Sequence, residues 1–164
     1  MTGQGQIDPQ RDNKYTSVVD KAIHQVPIFA GLSSAALDCL LANGKTQDVG
    51  ANEIILHEGE PGNRFFLIEE GSVRVVKHIG LENETELARL RQGEFFGEMC
   101  ILETLPRSAT VQAITSCRLF HLAALAFLPL YEQMPEQYSI LVLNLARDLS
   151  RRLRKLDEAF AARH

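Results

Sequence analysis

The chain has 164 residues, 45% apolar and 23% charged, with a formal net charge of −4. That is the balance of a single globular unit with a sizeable core, and its acidity argues against a general nucleic-acid binder, which presents a basic face to phosphates. No apolar run reaches the roughly 20 residues of a membrane span. Cys39, Cys100 and Cys117 form no Cys-x-x-Cys pair, so reduced thiols and a cytoplasmic location are expected.

Met1 to Asn13 is rich in Gly, Gln, Asp and Pro and reads as a loose arm. From Ser17 the pattern turns helical: Val18, Val19, Ala22, Ile23 and Val26 make one apolar stripe, which Pro27 ends. Ser33 or Ser34 can cap a second helix in which Ala36, Leu37, Leu40 and Leu41 recur at helical spacing, with Gly44 as a fitting stop. Beyond Gly44 the period shortens. Strand-forming runs at 53–57, 65–69, 73–79, 85–90, 109–114 and 117–122 alternate with punctuation such as Glu58-Gly59-Glu60-Pro61-Gly62-Asn63 and Gln92-Gly93-Glu94. Many short strands with frequent turns predict a closed or double-sheet β architecture, and the flanking helices place it in the α+β or β-roll class.

After Leu122 a short helix is predicted over 123–131, interrupted at Met134-Pro135. Pro135 suits the first turn of a new helix, and Glu136 suits the positive end of its dipole. That helix can run to about Ala162, with Leu145, Leu149, Leu153, Leu156 and Phe160 as its stripe. About 27 residues at 1.5 Å each span roughly 40 Å. This exceeds what a small barrel needs for cover, so part of the stripe is expected to meet another chain or project beyond the domain.

The segment from Phe95 to Val111 concentrates the chemistry. Gly97-Glu98-Met99-Cys100-Ile101-Leu102 can make one helical turn whose free N–H groups point toward an anion, and Gly97 lets the backbone approach closely. After eight intervening residues Glu98 is followed by Arg107, whose fork of N–H donors suits phosphate oxygens, and Ser108 adds a hydroxyl beside it. Glu98 is a poor neighbour for an anion unless it faces a donor such as a sugar hydroxyl, with Arg107 offsetting its charge. Taken singly, Glu98 and Arg107 read as an ordinary surface ion pair beside a turn. Together they fit a site for an anion that also carries a hydroxyl. His24, His57, His78, His121 and His164 show no metal-ligand spacing, and no catalytic set emerges.

This segment resembles the phosphate-binding cassette of cyclic nucleotide-binding domains, the superfamily of the catabolite activator protein and the kinase regulatory subunits. The likeness extends to Pro27-Ile28-Phe29, Gly31-Leu32, Phe65-Phe66-Leu67-Ile68 and Gly71-Ser72-Val73, and covers roughly Pro27 to Leu156. Pro106-Arg107-Ser108-Ala109-Thr110-Val111 is most similar to the ligand domains of bacterial cyclic nucleotide-gated channels. The resemblance implies an eight-stranded, jelly-roll-like β-roll with N-terminal helices and a long C-terminal helix. Its implied divisions are an arm at 1–15, helices at 16–44, the roll at 45–122 with its cassette at 95–111, and helices at 123–164.

The resemblance also implies roles. Glu98 accepts from the ribose 2′-hydroxyl and Arg107 neutralises the cyclic phosphate. Ser108, the N–H of Ala109 and the N–H groups of Gly97, Met99 and Cys100 complete the cradle. Val75 and Leu87 meet the base, where the plain alternative is barrel core. Arg151-Arg152-Leu153 resembles the activator's last helix, which lies over the ligand and pairs two subunits. Arg152 thereby acquires a base-capping or phosphate role. The plain alternative is that Arg147, Arg151, Arg152, Arg154 and Lys155 form a solvated basic face complementing the helix dipole. Leu156 stands where the activator has a polar base contact, so an apolar lid is expected.

The implied protein is a cytoplasmic cyclic nucleotide receptor or regulatory module, not an enzyme. Cyclic AMP is expected ahead of cyclic GMP, with no resident cofactor or metal and no membrane span. A homodimer or a protein partner through the last helix is expected. No nucleic-acid partner is expected, because the activators continue into a helix-turn-helix unit and this sequence ends at His164. The alternatives are a β-roll scaffold for protein interaction without nucleotide control, or a ligand-sensing fragment of a transcription regulator or channel. A redox or gas sensor on the same fold would need a cysteine cluster.

Overall fold

The computed structural model describes Ile23 and residues 25–162. The arm expected at 1–15 and most of the first helical stripe (Val18, Val19 and Ala22) lie outside the described residues. A 3-10 turn at Pro27–Phe29 leads into helix α1 (Ser34–Ala42), where Ser33 is the cap and its hydroxyl accepts from the N–H of Ala36. The helix closes through Asn43, not through a left-handed glycine: the Asn43 N–H donates to the Leu40 carbonyl and the Gly44 N–H to the Leu41 carbonyl. Gly44 is required for a different reason, because a Cβ there would run into the Phe120 ring.

Eight strands follow: β1 (Lys45–Val49), β2 (Ile54–Leu56), β3 (Arg64–Glu70), β4 (Ser72–Lys77), β5 (Thr85–Arg91), β6 (Phe95–Phe96), β7 (Thr110–Ala113) and β8 (Cys117–Ala123). They form two antiparallel four-stranded sheets, ordered β1-β8-β3-β6 and β2-β7-β4-β5. This is the β-roll expected from the sequence. β4 stops two residues short of its apolar run because His78 turns left-handed, at φ 55°, and its N–H donates to the Glu58 carboxylate.

β3 explains how the layers divide, since alternate side chains point to opposite faces. Phe65 and Leu67 join a core shared with the helices, where Phe65 packs on Phe29, Phe95 and Phe127 at centroid distances of 5.8, 5.5 and 6.2 Å. Phe66 and Ile68 join the core between the sheets, where Phe66 stacks on Phe96 at 5.0 Å.

Helix α2 (Met99–Leu102) lies between β6 and β7, and after β8 a second 3-10 turn (Ala124–Phe127) leads into helices α3 (Leu128–Gln133) and α4 (Pro135–Ala161). The first half of α4 is anchored: Leu141 and Leu145 are fully buried in the helix-side core. Asn144 is buried beside them, and its amide donates to the carbonyls of Ile28 (3.2 Å) and Ala30 (2.7 Å). Leu149 still packs against that core, but farther on the stripe is more exposed: Leu153, Leu156 and Phe160 are 59%, 55% and 68% exposed, so the stripe continues past the fold's own core. No helix among the described residues is long and apolar enough to cross a membrane.

Asn144 bonds two backbone carbonyls of the N-terminal turn, and truncation would strand both. Asn144→Ala should therefore destabilise the protein by about 1–3 kcal/mol, read as a lower midpoint in urea. An unchanged midpoint would show that the amide does not tie α4 to that turn.

Candidate functional site

One cavity of about 930 Å³ opens between the cassette, the β4–β5 side of the roll and α4. Gly97, Glu98, Met99, Cys100, Arg107, Ser108, Ala109, Val75, Leu87 and Arg152 all line it. Residues far apart in sequence thus share one concavity, and its chemistry follows from how each is held.

β6 delivers the chain to Gly97, which takes φ 75°, a region costly for any side chain. A Cβ there would also stand 2.6 Å from the Arg64 carbonyl oxygen and 2.9 Å from Arg107 Nη1. Glu98 then precedes the single turn of α2. Across the cavity, the Arg107 backbone is clamped to the 58–63 loop: its N–H donates to Glu60 O (2.8 Å), its carbonyl accepts from Gly59 N (2.9 Å), and Pro61 bridges Pro106. Gly62 makes room for the side chain, since a Cβ there would lie 2.5 Å from Arg107 Nε.

The guanidinium of Arg107 has no carboxylate partner among the described residues. Nη1 donates to Gly97 O (3.3 Å) and Nη2 to Arg64 O (2.8 Å). Nε is buried with no hydrogen-bond partner among the described residues. Burial holds its pKa below the ordinary guanidinium value, against the opposing pull of Cys100 and Glu98. Ser108 is exposed beside it, and its hydroxyl makes a long 3.9 Å contact with Met99 Sδ. Burial likewise raises the Cys100 thiol above its usual pKa, which favours the neutral form.

Glu98 is 6% exposed. It is not a surface residue, and its ion-pair partner is not Arg107. Arg152 Nη1 donates to Glu98 Oε1 at 3.3 Å. Burial pushes the Glu98 carboxyl above the ordinary value, Arg152 opposes that shift most strongly, and the nearby Asp148 adds to it. The expectation that Arg107 offsets the Glu98 charge is therefore corrected: that part falls mainly to Arg152.

The expected solvated basic face on α4 divides in the same way. Arg147, Arg151, Arg154 and Lys155 are exposed, whereas Arg152 turns inward. Its Nη2 donates to Phe95 O (3.1 Å), its Nε sits 2.7 Å from Asp148 Oδ2, and its guanidinium lies 4.7 Å over the Phe95 ring. Asp148 was not singled out from the sequence, although its i,i+4 spacing to Arg152 is a recognisable helix pairing. Val75 is half-buried against the inter-sheet core. Leu87 is 44% exposed and belongs to neither core, and it lines the cavity, as does the α4 residue Leu156. Among the described residues no cluster of His, Cys, Asp and Glu could hold a metal ion.

Comparison with known proteins gives one consistent result. The cyclic nucleotide-binding domain family matches residues 46–134. A cyclic nucleotide-gated potassium channel of Mesorhizobium japonicum is 39% identical over 111 residues, 68% of this chain and 29% of the channel. The Cyclic AMP receptor protein of Thermus thermophilus is 33% identical over 132 residues, 80% of this chain and 59% of that protein. The chain thus spans less than two thirds of these relatives. The regulatory domain of Toxoplasma gondii PKA, solved with cAMP, superposes with a TM-score of 0.73 at 25% identity, covering 87% of this chain and 52% of that one.

The raised carboxyl of Glu98 has a signed consequence. A group whose folded pKa exceeds its unfolded value binds more protons when folded, so wild-type stability falls as pH rises through that window. Comparing Glu98→Gln with wild type isolates this effect from Glu69, which burial also raises. From about pH 4 to about pH 7 the stability difference should move in favour of the variant, measured by urea denaturation. A difference independent of pH would contradict a buried, high-pKa Glu98.

Proposed function

The chain belongs to the cyclic nucleotide-binding domain family, and on that premise we propose that it is a cytoplasmic cyclic nucleotide receptor module, with cyclic AMP ahead of cyclic GMP as its ligand. The observation that carries the reading is Arg107. A half-buried guanidinium with a buried Nε that has no hydrogen-bond partner, and with no carboxylate partner, among the described residues is suited to an anion. The T. thermophilus relative's name and the cAMP held by the T. gondii domain support the choice of adenine.

In this reading the cyclic phosphate docks on Arg107, with Ser108 and the N–H groups of the Gly97–Cys100 turn and Ala109 around it. The carbonyls of Gly97 and Arg64 brace the two Nη atoms from behind. The ribose 2′-hydroxyl donates to Glu98, which retains lone pairs beside its bond to Arg152. Val75, Leu87 and Leu156 give the base an apolar slot. The module is a receptor, not a catalyst: binding shifts the population toward the state in which α3 and α4 pack over the nucleotide. The exposed end of α4 beyond Leu153 passes that change to a second subunit or a protein partner.

Truncating one member of a charge-assisted contact costs about 2–5 kcal/mol. Arg107→Ala should weaken cyclic AMP binding at least about tenfold by calorimetry, and wild type should melt at a higher temperature with the nucleotide present. A wild-type melting temperature unmoved by saturating cyclic AMP would point instead to an interaction scaffold without nucleotide control.

A further inference from the structure

We infer that Asp148 is a positioning residue for ribose recognition: it fixes the guanidinium of Arg152 against Glu98 and so readies that carboxylate for the 2′-hydroxyl. The inference rests on the receptor reading above and concerns a residue outside the cassette.

Every side of the Arg152 guanidinium is committed. Nη1 faces Glu98 Oε1 at 3.3 Å, Nη2 faces Phe95 O at 3.1 Å, and Nε faces Asp148 Oδ2 at 2.7 Å. The first two partners lie on the β6–cassette segment. The third lies one turn back on α4 itself, and only it ties the guanidinium to its own helix. A long arginine side chain loses much rotamer freedom when ordered, and a partner on the same helix restricts it before the cassette arrives. Asp148 in turn depends on Arg152: its Oδ2 is buried without an aligned hydrogen bond, and Arg151 reaches only Oδ1, at 3.6 Å. Side-chain exposure falls from 34% at Arg152 to 15% at Asp148 and 8% at Glu98, so water does little of this work.

Simple electrostatics argues the other way. Asp148 adds a second negative charge to the wall of a cavity meant for an anion, so its removal would strengthen binding if charge were all that mattered. If Asp148 acts by orientation, its removal weakens binding, and only for a ligand that carries the hydroxyl. The sign of the change therefore separates the two effects.

The test is calorimetry with cyclic AMP and its 2′-deoxy analogue on wild type, Asp148→Asn, Arg152→Gln and the double variant. Wild type should prefer the ribonucleotide by about tenfold or more, because a site built to bond a hydroxyl rejects the analogue lacking it. Asp148→Asn should weaken cyclic AMP by about three- to tenfold while leaving the deoxy analogue within about twofold, and should have no further effect once Arg152 is Gln. Equal losses for both ligands, tighter binding, or additive losses in the double variant would overturn the inference. Asp148→Ala serves as the second variant. If neither Asp148 variant folds by circular dichroism, the residue is structural and the inference is wrong. Failure of wild type to bind either nucleotide would refute the receptor reading itself, whereas wild-type binding with an unchanged preference in the variants refutes only the part assigned to Asp148.

Discussion

The site depends on a cation that the protein does not neutralise. Surface arginines find carboxylates or water, as Arg74 does with Glu84 at 2.9 Å and Arg89 with Glu86 at 2.6 Å. Arg107 instead sits in a wall built by Gly62 and Gly97, gripped by two carbonyl oxygens, with Nε buried and idle. Withdrawing a guanidinium from water without a counter-charge is unfavourable. The roll holds it there because its backbone is pinned to the Gly59–Glu60 turn by two hydrogen bonds. The nearest acid of the cassette, Glu98, is committed elsewhere. Cation and carboxylate are kept apart in one cavity, and a ligand with an anion at one end and a hydroxyl at the other satisfies both.

The second constraint is the long helix. Asn144 fastens α4 to the N-terminal turn, and Arg152, two turns on, fastens it to the cassette. About 12 Å of helix therefore links the N-terminal turn to the cassette. A change in how Glu98 is bonded alters one of the ties that hold α4, and a change in how α4 packs alters Glu98. That reciprocity is what a binding module needs if occupancy is to be felt at the exposed end of the helix.

Much of this was legible in the sequence where the signal is local. Aromatic and β-branched runs separated by Gly-rich turns marked β2, β3, β4, β7 and β8, and Pro135 marked the start of α4. Gly97, Glu98 and Arg107 stood out because glycine, acid and arginine rarely combine at that spacing in a β-rich chain. β1 was missed because Lys45-Thr46-Gln47-Asp48 is polar and lies at a sheet edge, where only Val49 is buried. β6 was missed because two residues carry no period. The pairing of Glu98 with Arg152 was hidden by distance along the chain, and the basic run around Arg152 resembles any solvated helix face. Which member of that run turns inward is decided by the tertiary placement of α4 over Phe95.

The most direct measurement is a crystal structure of the protein soaked with cyclic AMP. A phosphate oxygen should lie at about 3 Å from Arg107 Nε and the ribose 2′-hydroxyl should donate to Glu98, with the base between Leu87 and Leu156. An empty roll at saturating nucleotide, or a nucleotide whose phosphate lies away from Arg107, would contradict the receptor reading.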